Sequence, residues 1–323
     1  MPAPLPFAPT GVIPATLVAF REDFSIDDGQ TRRHLSDVAA VEGLSAITVN
    51  GHAAEVHALS VDEQRHLLDL TLDEIGDRVP VVAGVYADGS LAAASIARMA
   101  EAAGASALLV FPPNTLMMGG HLRPEMMETH FRTIADATGL PLILFNYAGW
   151  TNLHVTPDGL LEVLDAVPSI VAIKDWCNDP AQHARNVRTL HGLPRRVAVL
   201  TTHSAWLMNS LLTGCAGLLS GSGSVIADLH VALWRAVEAG DLAAARAVDA
   251  RIRPTAEVFY APPFLDMHNR MKEALVLLGR LDRAVVRPPL VKLPEAEIAR
   301  IGAALREAGL MPDRDRQARR PAA

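Results

Sequence analysis

The stretch Ile170-Val171-Ala172-Ile173-Lys174 is a short apolar run rich in β-branched residues, and a helical pattern follows it over residues 180–191. Such a run is typical of a strand that is buried on both faces. Asp179 supplies an N-cap oxygen, and Pro180 lacks the amide hydrogen that a first helical turn leaves unpaired. Gly192 then ends the pattern. We therefore interpret this part of the chain as one strand–helix unit.

The same unit recurs about eight times along the chain. Each apolar run precedes a segment whose apolar positions recur at three- and four-residue spacing. The runs lie at residues 12–18, 45–50, 79–85, 107–111, 141–146, 170–174, 197–201 and 217–220. This alternation predicts parallel strands that are joined by right-handed crossovers and closed into a (β/α)8 TIM barrel.

After the eighth run the pattern is helical only, and helices are predicted over residues 232–248, 256–278 (interrupted by Pro262 and Pro263) and 295–308. A barrel needs one outer helix there, so the surplus predicts a C-terminal helical appendage. The predicted division of the chain is an N-terminal extension (1–10), the barrel (11–230), a C-terminal helical region (231–311) and a disordered tail (312–323).

Composition excludes several classes of protein. The chain has 323 residues, 50% of them hydrophobic, and a net charge of −7, which excludes a disordered body and a basic nucleic-acid binder. Its two cysteines cannot form a disulfide framework and fit a reducing compartment. We see neither a signal peptide nor an apolar run of the roughly 18 residues that a membrane helix needs. We expect a soluble, cytoplasmic protein with no nucleic-acid or membrane partner.

Lys174 is the main candidate for chemistry, because the active sites of such barrels lie at the carboxyl ends of the strands. Ala172 and Lys174 share one strand face and the bulkier Val171 and Ile173 share the other, so Lys174 is predicted to point into the barrel mouth. Desolvation would lower the pKa of its ammonium group and free an amine that can form a Schiff base. The alternative is that Lys174 forms an ion pair with Glu55.

The loop after the second run offers weaker candidates. His52 suits acid–base chemistry at neutral pH, although a hydrogen-bonded loop histidine is an equal alternative. His52, Glu55 and His57 are conceivable metal ligands, but their spacing is not that of a helical zinc motif, and we predict no bound metal.

The stretch Ser220-Gly-Ser-Gly-Ser224 follows the eighth run, where many barrels bind phosphate through backbone amides. It could equally approach a substrate carboxylate or form a plain turn. The remaining candidates are assigned no chemistry: His183 and His191 are expected at the surface, and Cys177 and Cys215 in the core without an activating neighbour.

These features resemble the dihydrodipicolinate synthase / N-acetylneuraminate lyase family of lysine-dependent class I aldolases. The resemblance covers roughly residues 11–310. It is strongest in Val171-Ala-Ile-Lys-Asp175, which looks like the Schiff-base lysine motif, and in Asn50-Gly-His-Ala-Ala-Glu55, which looks like the family's Gly-x-Thr-Gly-Glu loop. It implies a barrel with helical appendage, a homotetramer or another homo-oligomer, no metal or organic cofactor, and a Schiff base with pyruvate or another 2-oxo acid.

The chain differs from this family at the residues that would transfer protons during the reaction. Phe145 stands where the family usually has a tyrosine just before Asn146, and phenylalanine cannot relay a proton. Two residues could restore the relay. Tyr147 lies on the same strand face, about 6.6 Å beyond Phe145, and His52 has a pKa better matched to neutral pH.

The residues that are expected to contact the substrate also differ from those of the family. His52 and Ala53 occupy the places of two hydroxyl residues that the family often has in this loop, and Ala54 replaces its glycine. Pro113 or Asn114 replaces a tyrosine of the synthases. Trp150 aligns with the arginine that holds the aldehyde substrate's carboxylate in dihydrodipicolinate synthases. We therefore expect an activity other than that lysine-biosynthetic synthase.

We interpret the chain as a lyase that acts on a small 2-oxo acid through a Lys174 Schiff base, by aldol cleavage or condensation. His52 and Tyr147 are the candidate proton carriers. Substrate contacts are assigned to Gly51, Ala53, Ala54, Phe145, Asn146, Trp150, Gly221, Ser222 and Gly223. Three alternatives stay open: a dehydratase or hydratase that uses the same imine, a catalytically silent ligand-binding barrel, and a phosphate-binding barrel enzyme.

Overall fold

Eight parallel strands form the centre of the computed structural model, which describes residues 4–311. The strands are β1 (Gly11–Pro14), β2 (Ile47–Val49), β3 (Val81–Val85), β4 (Ala107–Val110), β5 (Leu142–Asn146), β6 (Ile170–Asp175), β7 (Ala198–Thr201) and β8 (Gly217–Ser220). Consecutive strands from β2 to β8 pair side by side, and β8 pairs with β1. Two isolated parallel bridges, Val12 with Leu44 and Ala15 with Thr48, nearly close the barrel. The predicted TIM barrel is confirmed.

A helix follows each strand, and three more helices complete the described chain. They are α1 (Asp28–Ala39), α2 (Val61–Ile75), α3 (Ser90–Ala103), α4 (Pro124–Ala135), α5 (Pro157–Ala166), α6 (Pro180–His191), α7 (Leu207–Leu212), α8 (Gly223–Glu238), α9 (Leu242–Phe259), α10 (Met267–Leu277) and α11 (Glu295–Glu307). The cap that Asp179 was expected to supply is present, since its side chain accepts hydrogen bonds from two amides at the start of α6. Side chains on both faces of the strands are buried, as parallel strands under helices require.

Two helix predictions after β8 are wrong in their bounds. The helix predicted over residues 232–248 is two helices, because α8 begins at Gly223 and crosses the predicted domain boundary at 230. Gly240, with φ of 68°, separates it from α9, whose first turn is capped by Asp241. The helix predicted over residues 256–278 is also divided, at the predicted prolines, so that α10 begins only at Met267.

The segment between α9 and α10 is fixed by a buried arginine. The Arg270 guanidinium donates to the backbone oxygens of Ala261 (2.5 Å), Pro263 (3.2 Å) and Pro262 (3.3 Å). It also forms an ion pair with Glu297 of α11 at 2.8 Å. Because a guanidinium group is planar, always charged and carries several N–H donors, it can bind these backbone oxygens at the same time. The segment therefore has a defined path across the barrel mouth.

The tail predicted over residues 312–323 lies outside the described residues, and the division into domains stays a prediction. Within residues 4–311, no helix combines the length and the apolar character that crossing a membrane demands.

Candidate active site

Lys174 lies at the carboxyl end of β6 and faces a cavity of about 270 Å³ at the barrel mouth. It is 5% exposed, and its Nζ lies 4.2 Å from the centre of the Phe145 ring on β5. Among the described residues it has no ion-pair partner. Burial lowers the pKa of the Lys174 amine to about 7, because an ammonium group loses hydration there.

The alternative partner of Lys174 is excluded by the contacts of Glu55. That carboxylate is fully buried, and its Oε1 lies 2.5 Å from Nζ of Lys272, on α10. Its second oxygen accepts the amide hydrogen of Arg287 at 3.0 Å. The ion pair predicted as the alternative is therefore formed by a different lysine.

His52 and Tyr147 are brought together at the cavity. Nε2 of His52 is hydrogen-bonded to the Tyr147 hydroxyl, and the His52 ring packs edge-on against Phe111 and Phe145. Burial, and then the nearby Lys174, hold the pKa of His52 well below its usual value, while burial raises the pKa of Tyr147. The pair is thus a neutral imidazole and a neutral phenol that can exchange a proton. Of the two, His52 lines the cavity.

Local backbone geometry places His52. The turn after β2 is a short 3₁₀ helix, and a Cβ at Gly84 of β3 would lie only 1.9 Å from the Asn50 carbonyl oxygen. Glycine there lets the two segments approach each other. The amides of His52 and Ala53 have no partner among residues 4–311, whereas the Ala54 amide donates to Gly51.

The other predicted contact residues divide into two groups. The cavity is lined by Ala53, Phe145, Trp150 and Gly221, together with His52 and Lys174, but among the described residues its lining does not include Gly51, Ala54, Asn146, Ser222 and Gly223. Asn146 is turned away because its amide donates to Asp175. The Ser222 amide donates to the Tyr260 hydroxyl at 3.1 Å, and Gly223 packs against Pro14 at the start of α8.

Asp175 points to the opposite side of β6 from Lys174, as strand alternation requires. Its carboxylate is fully buried and accepts from His183 (2.8 Å), Asn186 (3.1 Å) and Asn146 (3.1 Å). Burial alone would raise the pKa of Asp175, but these hydrogen bonds, His183 first, hold it below its usual value. The prediction that His183 lies at the surface is wrong, because this histidine is completely buried behind the lysine strand.

A chain of hydrogen bonds connects Asp175 with the cavity wall. His183 Nε2 contacts Ser210 Oγ (2.8 Å), Ser210 contacts Thr201 Oγ1 (2.5 Å), and Thr201 contacts Nδ1 of His203 (3.1 Å), which lines the cavity. Nε2 of His203 accepts the Asn178 amide hydrogen at 3.1 Å. The Ser210 hydroxyl donates to Thr201 Oγ1, so the chain is continuous from Asp175 to His203.

The side chains of Cys177, His183 and His203 lie together, with ligand atoms within 4.8 Å of one another. All four imidazole nitrogens of this group already have hydrogen-bond partners, so we interpret it as part of the hydrogen-bonded chain. The prediction that Cys177 lies in the core is wrong, because its thiol is half-buried and lies 3.8 Å from His203. Burial, and then Asp175, raise the pKa of this thiol.

Sequence reasoning missed two thirds of the residues that line the cavity. The additional lining residues are Ala15, Trp176, Asn178, Thr202, His203, Ser204, Ala205, Trp206, Tyr260, Phe264, Met267 and Met271. The last four come from the C-terminal region, which was predicted only as an appendage. The available signal was the aromatic cluster Phe259-Tyr260-Ala-Pro-Pro-Phe264, which interrupts a helical pattern with apolar rings.

Comparison with known proteins agrees with this architecture. The Dihydrodipicolinate synthetase family matches residues 8–308. A 4-hydroxy-tetrahydrodipicolinate synthase of Neisseria meningitidis serogroup B is 29% identical over 301 residues, 93% of this chain and 98% of the relative. Another protein of that name, from Kineococcus radiotolerans, is 33% identical over 273 residues, 84% of each chain.

A second relative carries a different name. The putative 2-dehydro-3-deoxy-D-gluconate aldolase YagE of Escherichia coli K12 is 27% identical over 301 residues, 92% of this chain and 96% of the relative. The crystal structure of YagE in complex with pyruvate superposes with a TM-score of 0.85 at 26% identity, covering 94% of this chain and 99% of YagE. The resemblance in the sequence motifs is confirmed, and this chain belongs to the Dihydrodipicolinate synthetase family.

Proposed function

We propose that this protein is a lyase that acts on a pyruvate-type 2-oxo acid through a Schiff base at Lys174. The observation that carries the proposal is the Lys174 amine, which is buried, faces the cavity and has no ion-pair partner among the described residues. The lowered pKa of this amine leaves a large uncharged fraction at neutral pH. The relative YagE, crystallised with pyruvate, supports the substrate class.

The cavity residues suggest how the reaction proceeds. The amine attacks the keto carbon, and loss of water leaves an imine whose protonated form withdraws electrons from C3. His52 can remove the C3 proton, and the Tyr147 hydroxyl bonded to it can supply or receive a proton in the next step. The unpartnered amides of His52 and Ala53 suit the 2-oxo acid carboxylate.

Reductive trapping tests the imine. Borohydride with pyruvate should attach one adduct, on Lys174, and the peptide assignment is simple because the chain has only three lysines, at positions 174, 272 and 292. The variant Lys292→Met, at a side chain that is 71% exposed, should trap normally. Absence of any adduct with a set of 2-oxo acids would overturn the proposal.

Two variants test the proton carriers. Tyr147→Phe and His52→Gln should each lower turnover by about 10²-fold or more while leaving pyruvate trapping in place. The control is Tyr86→Phe, since the Tyr86 ring lies 6.1 Å from His52 and its hydroxyl contacts Asn114 instead. Normal turnover in both site variants would remove His52 and Tyr147 from the mechanism.

We further propose that the activity differs from 4-hydroxy-tetrahydrodipicolinate synthase, the name of several relatives. Among the described residues, no arginine lines the cavity, and Trp150 stands at its rim. A second carboxylate would therefore lack a cationic partner. An assay with pyruvate and aspartate semialdehyde should give no dihydrodipicolinate product, and rapid product formation would contradict this proposal.

A dehydratase or hydratase uses the same imine and differs only in the bond broken afterwards. The second candidate function is a silent ligand-binding barrel, which binds a 2-oxo acid without turnover. It is supported by Phe145, which lies beside the Lys174 amine but has no hydroxyl group to transfer a proton. Product analysis separates these activities: cleavage releases pyruvate and an aldehyde, dehydration releases water and a 2-oxo acid whose carbon chain is intact, and a silent barrel traps pyruvate without turnover.

We also propose a cytoplasmic homo-oligomer, a dimer or a tetramer. The segment after β4 supports self-association, because Met117, Met118 and Leu122 are 49%, 91% and 76% exposed. Light scattering of the purified chain should give a mass that is a multiple of 34.5 kDa; a monomer would contradict this.

A further inference from the structure

We propose that the second half of the substrate is aromatic: an aryl aldehyde that is consumed in condensation or released in cleavage. This inference rests on the proposed imine chemistry, which supplies the carbon nucleophile. It is carried by an aromatic wall that we define as Trp150, Trp176, Tyr260 and Phe264, all of which line the cavity that Lys174 faces.

The rings of the aromatic wall contact one another in sequence. Trp176 and Phe264 stack with centroids 4.9 Å apart and an interplanar angle of 20°, and Phe264 stacks with Tyr260 at 5.5 Å and 25°. Trp150 meets Trp176 edge-on at 5.5 Å and remains 65% exposed at the cavity rim. These rings form a continuous apolar surface with both flat faces and edges, and such surfaces bind other aromatic rings.

The wall begins on the strand face that carries the Lys174 amine. The Trp176 amide donates to the Asn146 carbonyl at 2.9 Å, which continues the pairing of β5 and β6 one step beyond Asp175. Trp176 therefore lies on the same strand face as Lys174, about 6.6 Å further along. In a condensation product, only C2, C3 and the former aldehyde carbon separate the imine nitrogen from the aryl ring, so the ring has to be accommodated in the cavity that Lys174 and Trp176 both line.

The charges of the residues that line the cavity favour an uncharged aldehyde. Among the described lining residues there is no carboxylate, and Lys174, committed to the imine, is the only lysine or arginine. A phosphorylated or carboxylated aldehyde would bring in a charge without a partner, which is costly in a buried site. Asn178, Thr202 and Ser204 also line the cavity, so a polyhydroxylated aldehyde is the competing substrate.

The bond-forming step balances without any further reactant. The amine and pyruvate lose water to form the imine, and loss of a C3 proton gives the enamine. The enamine C3 forms a bond to the aldehyde carbon as the carbonyl electron pair moves to oxygen, which takes up a proton. Water then hydrolyses the iminium, releasing the 4-aryl-4-hydroxy-2-oxo acid and the free amine. Cleavage is the reverse sequence.

The test compares three aldehydes with pyruvate: benzaldehyde, glyceraldehyde and succinic semialdehyde. We expect kcat/KM for benzaldehyde to exceed that of the other two by about tenfold or more. Preference for glyceraldehyde or succinic semialdehyde would overturn the inference. So would the absence of product from benzaldehyde in a protein that borohydride and pyruvate label at Lys174.

Matched variants test whether the aromatic wall causes the preference for benzaldehyde. Phe264→Ala should raise KM for benzaldehyde about tenfold without changing pyruvate trapping, and Phe264→Leu should fall between it and the wild type. The control is Leu265→Ala, a neighbouring side chain that is 53% exposed. Equal effects of Phe264→Ala and Leu265→Ala would overturn the role of the wall.

Binding to a variant that cannot form an imine separates this inference from the proposed function. In Lys174→Met, benzyl alcohol should quench tryptophan fluorescence at lower concentration than glycerol does, whatever the outcome of trapping in the wild type. Failure of trapping alone overturns the imine chemistry, whereas equal quenching by the two alcohols overturns the aromatic site.

Discussion

Lys174 and Lys272 are both buried, and the Nζ atom of each lies 4.2 Å from the centre of a phenylalanine ring. Their polar contacts differ. Lys272 is 2.5 Å from the Glu55 carboxylate and donates to the Val285 carbonyl at 2.7 Å, whereas Lys174 has no ion-pair partner among the described residues. Burial lowers the pKa of both, but only at Lys272 does a carboxylate oppose the shift.

This difference separates an ion-paired cation from an amine without a counterion. Lys272 joins α10 to the loop after β2, so its charge is compensated where it stands. The acid beside Lys174 in sequence is Asp175, and strand alternation turns that carboxylate away toward His183. A lysine without a local counterion has a destabilised ammonium form, and the barrel tolerates it because the amine opens on a cavity.

The largest expected effect is the loss of activity in Lys174→Met. Turnover should fall by at least about 10³-fold, because no other group can form the imine, and the protein should remain folded. The measurements are steady-state turnover, pyruvate trapping and urea unfolding, with Lys292→Met as control. An active Lys174→Met variant, or an adduct on another lysine, would contradict the assignment of the imine to Lys174 as opposed to Lys272.

The main expected effect of Lys272→Met is a lower free energy of unfolding. Removing the cation leaves Glu55 buried without its partner, and the free energy of unfolding should drop by about 3–5 kcal/mol. Urea unfolding measures the change, and Lys272→Met combined with Glu55→Gln should recover part of it. If the single variant unfolds at the wild-type urea concentration, the ion pair contributes no net stability.

The pH dependence should distinguish Lys174 from an ordinary lysine. Its pKa is lowered to about 7, so the rate of pyruvate trapping should rise through pH 7 and level off above pH 8. The unfolded chain keeps the usual pKa, so the stability cost of the buried ammonium is fully present below pH 7 and disappears toward pH 10.5. Lys174→Met should therefore be more stable than the wild type at pH 6 and lose that advantage by pH 10. A stability difference that does not vary with pH would contradict the lowered pKa.

The smallest effect is expected behind β6, in the hydrogen bonds that hold Asp175 away from the amine. Ser210→Ala leaves His183 Nε2 without its partner and should cost about 1–3 kcal/mol of unfolding free energy. Trapping at Lys174 should persist. The exposed Ser95→Ala serves as control; an equal, negligible change in both would show that this hydrogen-bonded chain does not stabilise the fold.

The sequence contained enough to predict the barrel and the side of its strand on which Lys174 lies. Alternation along Ile170–Asp175 separates small from bulky side chains, and that local rule put Lys174 inside. Pairing of His52 with Tyr147 was not foreseen, although each was a candidate, because their contact joins two loops 95 residues apart. Periodicity describes each segment alone and does not tell which segments meet.

Two errors have the same physical origin. His183 was assigned to the surface because a polar residue on an amphipathic helix is usually solvated, but a buried carboxylate facing it reverses that preference. The contribution of Tyr260 and Phe264 was missed because the helical appendage folds back over the barrel mouth, which depends on contacts made by Arg270. In both cases the partner lies within ten residues in the sequence but on a different element, and periodicity within one element does not show that contact.

The Arg270 contacts have a consequence for how this protein can change. The guanidinium holds the segment between α9 and α10 through three main-chain oxygens and an ion pair with Asp266 at 3.9 Å, so these contacts do not involve the side chains at positions 260 and 264. The rings at positions 260 and 264 can therefore be replaced without removing an Arg270 contact, although a residue at 260 without a hydroxyl leaves the Ser222 amide without its acceptor. Libraries at these two positions should yield folded variants with altered aldehyde selection, and the same freedom gives natural selection a route to new substrates without rebuilding the barrel.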